Sequence, residues 1–205
     1  MGIERRFIDI KEIRAEGEGM IVEGYPIVFD VETVVGGWFR EKVSKGAATP
    51  AFARSDEIFL FNHDSNIPLA RKSNGTLEVS EDDHGVKIKA DLSRSSAGPG
   101  VYNDIKNGLI TGMSFAFQIE REEWTNGDET TLDMRDIKEF KQIFDYSPVT
   151  YPQYSQTEIQ ARSAEEIKKS HDTAMAEDER SMEPVFNPES LQAYELELEL
   201  LGVKP

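Results

Sequence analysis

The stretch at residues 108–119, GLITGMSFAFQI, constrains the fold more than any other part of the chain. Read with the period of two that a pleated strand imposes, Met113, Phe115, Phe117 and Ile119 share one face, while Gly112, Ser114, Ala116 and Gln118 share the other. The first face belongs in an apolar core. The second is small and partly polar, and a hydroxyl there has no packing purpose, so Ser114 marks a place that another group can approach. A second unusual site lies upstream in FLFNHDSN, where His63 follows an apolar run. A serine and a histidine at the ends of two core strands have the chemistry of a nucleophile and its base.

The remaining segments read mainly as strands. Residues 5–10 form a short one, and residues 19–29 a longer one that Gly24 and Pro26 bend or confine to an edge. Residues 29–52 make a loop-rich excursion with a Gly36-Gly37 turn and an amphipathic piece carrying Trp38, Phe39 and Val43. Residues 58–61 are a short apolar strand that delivers Asn62, His63 and Asp64 to its end, with a turn expected at Asp64, Ser65 and Asn66. The clearest hairpin pairs residues 76–80 with 85–92, where Val86, Ile88, Ala90 and Leu92 alternate with Lys87, Lys89 and Asp91. A short helix is predicted over 101–108, with Val101, Ile105 and Tyr102 on its apolar side. After the Ser114 strand, residues 130–146 return as one or two strands, and Ser147-Pro148 is expected to break pairing because proline lacks a ladder donor. Composition shifts at Ala161. Ser163 and Glu166 fit a capping box for a polar helix running toward Glu179, and a linker over 181–188 leads to a last helix with a stripe of Leu191, Tyr194, Leu198 and Leu201.

This organisation predicts an α+β, mainly β protein, with a domain over residues 1–162 and an acidic helical segment over 163–205. A chain of 205 residues is long enough to bury one substantial core plus an appendage. It has no cysteine, which excludes disulfide scaffolds, thiolate zinc sites and a cysteine nucleophile. Its net charge of −16, from 23 basic and 39 acidic residues, opposes binding to nucleic acid or anionic lipid and suits protein partners. No stretch has the length of a membrane span or the apolar run of a signal peptide, so the expected setting is a cytoplasm.

A serine hydroxyl becomes a useful nucleophile when a base takes its proton, and an imidazole is suited to that task. A carboxylate on the other ring nitrogen holds the tautomer and stabilises the imidazolium. Asp145, in IFDYSPVT at a strand end, is the preferred candidate, followed by Glu139 and Asp64. A lone strand serine is also a common packing residue, and a histidine before aspartate a common turn residue. His84 and His171 sit in acidic, exposed segments. Three scattered histidines with no HExxH pattern argue against a metal site, although Glu81-Asp82-Asp83 offers weak cation ligands, and no cofactor is indicated. Neither Gly36-Gly37 nor Gly98-Pro99-Gly100 matches a phosphate-binding loop.

The order GYPIVFD, GGWFRE, FNHD, TLEVSEDDHGVKIKADL, a short helix, GMSFAF and then FDYSPVTYPQY resembles the HK97-like prohead maturation proteases of tailed bacteriophages, over roughly residues 5–162. That family is related to herpesvirus assembly proteases. The resemblance implies a compact, mostly antiparallel β-barrel with flanking helices and a serine endopeptidase with Ser114 as nucleophile and His63 as general base. Asp145 stands where relatives usually carry glutamate. The implied substrates are the major capsid protein and its scaffolding segment, inside the immature procapsid in an infected bacterium. Self-cleavage or docking through residues 163–205 is a further expectation, as is a homo-oligomer with contacts at 101–107 and 191–201. The oxyanion donors are sought after Asp145 or around Gly36-Gly37. The rival reading is a non-catalytic assembly module that keeps the fold and does not need His63.

Overall fold

The computed structural model describes residues 2–9, 14–16, 19–150 and 158–182. In chain order the elements are β1 (Glu4–Asp9), β2 (Arg14–Glu16), β3 (Ile21–Val28), β4 (Thr33–Val35), β5 (Phe39–Val43), α1 (Thr49–Phe52), β6 (Ile58–Phe61) and β7 (Asp64–Arg71). They continue with β8 (Leu77–Glu81), β9 (Gly85–Asp91), a single 3₁₀ turn at Leu92–Arg94, α2 (Gly98–Lys106), β10 (Gly112–Thr125), β11 (Met134–Val149) and α3 (Glu158–Met182). Among the described residues strands far outweigh helices, which puts the protein at the mostly β end of the α+β class. By its internal contacts the chain divides into two units, Met1–Glu165 and Glu166–Pro205.

The larger sheet is organised on β11. β10 runs antiparallel along one edge of it, and β1 lies antiparallel on the far side of β10. On the other edge β11 takes two parallel neighbours in tandem, β5 against Met134–Ile137 and β6 against Asp145–Tyr146. The sheet is completed by β4 on β5 and by β7 on β6. Between the two parallel neighbours the connection through α1 satisfies the backbone of β11. The Phe140 N–H donates to the Ala47 carbonyl at 2.9 Å, and the Ile143 N–H donates to the Ser55 hydroxyl at 3.2 Å.

The smaller sheet is antiparallel in the order β2, β3, β9, β8. The expected interruption at Gly24 and Pro26 is a register shift between Gly24 and Ile27, which lets β3 continue past a residue with no N–H. Val22 and Ile27 of β3 and Val86, Ile88 and Ala90 of β9 are fully buried. They join Phe115, Phe117, Phe140 and Ile143 of the larger sheet in one apolar cluster. Among the described residues neither sheet closes into a barrel.

Several local expectations need correction. Phe39–Val43 is a strand whose alternate residues are buried, within the expected loop excursion. The turn after β6 is at Asn62-His63, not at Asp64-Ser65-Asn66, which begin β7. β11 runs through Ser147 and Pro148, because its pairing to β6 ends at Tyr146 and a missing donor is tolerated where a strand has one ladder neighbour. α2 starts at Gly98, inside the expected turn, since only a glycine fits there: a Cβ would stand 2.0 Å from the Leu92 carbonyl oxygen. α3 begins before Ser163, so that residue lies inside the helix and not at its start. The linker at 181–188 lies for the most part, and the Leu191–Leu201 stripe wholly, outside the described residues.

A buried charge cluster ties the outer strands of the larger sheet together. Arg135, 1% exposed, reaches Glu4 at 2.7 Å, Glu41 at 3.0 Å and Glu122 at 2.6 Å, while Arg6 reaches Glu4 at 2.8 Å and Glu41 at 2.5 Å. The Arg135 guanidinium also lies 5.9 Å from the Phe39 ring centroid and 5.7 Å from that of Trp124. Burial disfavours both charges, and the surrounding carboxylates overcome it, so both guanidinium pKa values are raised.

Candidate active site

Three neighbouring strands, β10, β11 and β6, present their side chains to one point. In the β10–β11 ladder Ser114 stands directly opposite Ser147, and Ala116 opposite Asp145. Residues directly opposite one another share a face, so Ser114, Ser147 and Asp145 project together. Asp145 reaches that face because of an irregularity. Phe117 pairs with Ile143 where a regular ladder would pair it with Phe144, so Phe144 is the extra residue of a bulge. The bulge lets Ile143 face the core with Phe117 while Asp145, two residues on, faces Ser114.

His63 is delivered by the two-residue turn between β6 and β7. Asn62 and His63 both have positive φ, 54° and 59°, which is the backbone of a type I′ hairpin turn. Asparagine adopts that conformation readily, and a histidine there is costly unless its surroundings hold it. The turn is fastened to the end of β11 by several bonds. The Asn62 N–H donates to the Pro148 carbonyl at 3.1 Å, the Asn62 side-chain oxygen accepts from the Thr150 N–H at 2.9 Å, and the His63 N–H donates to the Ser147 hydroxyl at 3.1 Å.

The resulting chain of side chains is continuous. His63 Nε2 lies 2.7 Å from Ser114 Oγ, and His63 Nδ1 lies 2.6 Å from Asp145 Oδ1. An ionised carboxylate only accepts hydrogen bonds, so Asp145 selects the tautomer with a proton on Nδ1 and leaves Nε2 as an acceptor facing the serine. The Ser114 hydroxyl has a second acceptor in the Arg6 carbonyl at 2.9 Å. Ser114 and Asp145 are each 6% exposed. The small face of β10 is therefore less open than its composition suggests. The Phe7 ring occupies the place of a side chain at Gly112, where a Cβ would stand 2.3 Å from Phe7 Cε2, and His63 covers Ser114. Tyr146, next to Asp145, points to the opposite, core face, where burial first, then the negative charges of Glu57 and Asp145, push its hydroxyl pKa well above the usual value.

The other candidates lie elsewhere. Glu139 pairs with Arg54 at 3.3 Å, and Asp64 accepts from the Asn66 N–H at 2.8 Å. His84 stands edge-on to Tyr25 with ring centroids 4.7 Å apart. The carboxylates of the 81–83 turn are engaged by protein: Glu81 by the Thr49 hydroxyl, Asp82 by the Tyr25 hydroxyl and two backbone N–H groups, and Asp83 by Lys45. The Gly36-Gly37 turn joins β4 to β5 at the opposite end of β11, so it cannot supply oxyanion donors to Ser114. Residues 151–157, after Asp145, lie outside the described residues. Sequence reasoning passes over Ser147 as part of a proline break, although its position two residues after Asp145 in a strand puts it on the same face.

Comparison with known protein families matches residues 8–170 to the caudovirus prohead serine protease family. Searches of curated proteins and of solved structures gave no match. The matched region is most of the chain and spans all three strands that meet at the candidate site. The chain thus belongs to the caudovirus prohead serine protease family and is a serine protease of phage capsid maturation.

Proposed function

We propose that Ser114 is the nucleophile, His63 the general base and Asp145 the group that orients His63, in an endopeptidase that trims the major capsid protein and its scaffolding segment within the immature shell. The observation that carries this reading is the unbroken path from Ser114 Oγ to His63 Nε2 at 2.7 Å and from His63 Nδ1 to Asp145 Oδ1 at 2.6 Å. In the first half-reaction Ser114 Oγ attacks the scissile carbonyl carbon and its proton passes to His63 Nε2. That proton then goes to the leaving amine nitrogen as the C–N bond breaks, leaving an ester on Ser114. In the second half-reaction water attacks the ester, gives its proton to Nε2, and the proton returns to Ser114 as the acid product leaves. Asp145 remains ionised throughout and stabilises the imidazolium.

An aryl fluorophosphonate tests this reading against a non-catalytic assembly module. The expected result is covalent labelling of Ser114 that disappears in His63→Ala. A folded, assembled sample that takes up no label, or labelling unaffected by loss of His63, refutes the assignment.

We further propose that residues 1–162 form the protease domain and that the acidic segment 163–205 directs the enzyme into the procapsid. Its excess of carboxylates suits a basic protein surface. Deleting residues 164–205 should lower incorporation into procapsids by at least tenfold while leaving fluorophosphonate labelling intact. Normal incorporation of the truncated chain refutes the targeting role.

A further inference from the structure

Ser147 is fully buried and stands directly opposite Ser114 in the ladder. Its hydroxyl bonds two other parts of the site. It donates to Asp145 Oδ1 at 2.7 Å and accepts from the His63 backbone N–H at 3.1 Å, with His63 Nδ1 3.3 Å away. We propose that Ser147 is a positioning residue that sets both the carboxylate and the imidazole of the catalytic chain; the proposal rests on the roles assigned above to Ser114, His63 and Asp145.

Geometry supplies the reasons. Asp145 Oδ1 receives two hydrogen bonds, one from His63 Nδ1 and one from Ser147. The second bond restrains rotation of the carboxylate and so holds the oxygen that meets the imidazole in place. The bond from the His63 N–H restrains a residue whose positive φ would otherwise relax toward the β or α region. One hydroxyl thus couples the backbone angle that aims the ring to the carboxylate that fixes its tautomer. Both constraints are lost together when the hydroxyl is removed. A buried carboxylate also loses a donor, and a buried N–H its acceptor. Displacement of the base by about 1 Å is enough to cost on the order of 10²-fold in rate.

The measurement is inactivation by an aryl fluorophosphonate, in which Ser114 Oγ bonds to phosphorus, fluoride leaves and the serine proton passes to His63. Ser147→Ala should lower the limiting inactivation rate roughly 10- to 100-fold while the half-saturating probe concentration stays within about twofold. Ser147→Thr, which keeps the hydroxyl on a β-branched residue suited to a strand, should return the rate to within about threefold of the native protein. An unchanged rate in Ser147→Ala overturns the proposal. So does a loss that Ser147→Thr fails to rescue while remaining folded, or one in which the half-saturating concentration rises in step. Should Ser147→Ala not fold, Ser147→Cys replaces it: thiol is a weak donor, so the rate should fall as for alanine, and a native rate overturns the proposal. Ser114→Ala run in parallel separates the two levels. Labelling that survives Ser114→Ala overturns the assigned nucleophile, whereas labelling lost in Ser114→Ala and native in Ser147→Ala overturns only the positioning role.

Discussion

Replacing Ser114 with alanine is expected to abolish capsid-protein cleavage, by about 10⁴- to 10⁶-fold in kcat, with little change in thermal stability. The substitution removes one oxygen from a strand residue whose neighbours Met113 and Phe115 carry the packing, so the fold should persist. His63→Ala should cost about as much. The double variant should be no slower than either single one, because base and nucleophile act as a unit and the second loss removes nothing that still works. Strict additivity of the two losses would show that the residues act separately. Asp145→Asn tests the tautomer argument on its own. An amide can donate to Nδ1 and so favours the proton on Nε2, where it points at the serine and blocks proton acceptance. A loss approaching 10⁴-fold in kcat is expected, and activity close to native would remove Asp145 from the site.

The second large effect is on stability. Arg135→Met leaves Glu4, Glu41 and Glu122 around a side chain that no longer offsets their charge. Breaking a buried ion cluster by removing one partner costs about 3–5 kcal/mol, or roughly 6–20 °C in Tm for a chain of this size. The pH dependence identifies the cause. Burial opposes ionisation of Glu4, but bonds and charges from Arg135 and Arg6 outweigh it, so its folded pKa lies below the ordinary 4.5. A carboxyl with a depressed folded pKa contributes stability above its unfolded pKa and loses it as pH falls through the folded value. In Arg135→Met the Glu4 carboxyl sits buried without its main cation, and the advantage that its ionised form holds in the native protein shrinks. The Tm difference between native and variant proteins should therefore be widest near pH 7 and shrink as pH falls through and below 4.5. A gap that is constant with pH would attribute the loss to packing against Phe39 and Trp124.

What the sequence reveals and conceals follows a physical division. The strand at 112–125 and the hairpin formed by β8 and β9 are legible because alternation of large apolar with small or polar residues is a local property. β7 is concealed because Asp64, Ser65 and Asn66 are favoured turn residues, while the actual turn uses His63, which is not. Glu4, Glu41, Glu122 and Arg135 read individually as solvated charges, and only the pairing of β1, β10, β11 and β5 brings them together. For the candidate site, residue types and strand ends direct attention to Ser114, His63 and Asp145. Their adjacency depends on the parallel pairing of β6 with β11 and on the extra residue at Phe144, which no local pattern announces. Ser147 is hidden for the same reason: only the pairing of β6 with β11 brings the His63 N–H to its hydroxyl.

The parallel placement of β6 beside β11 also bears on when activity can arise. His63 is made long before Asp145, and the two meet only through a ladder that closes across more than eighty residues of intervening chain. Such distant pairings form slowly, after the local hairpins. A nascent chain that has not yet emerged as far as β11 has Ser114 and His63 but lacks Asp145 and the strand that brings all three together. The arrangement proposed for catalysis therefore exists only once β11 has paired with both β10 and β6.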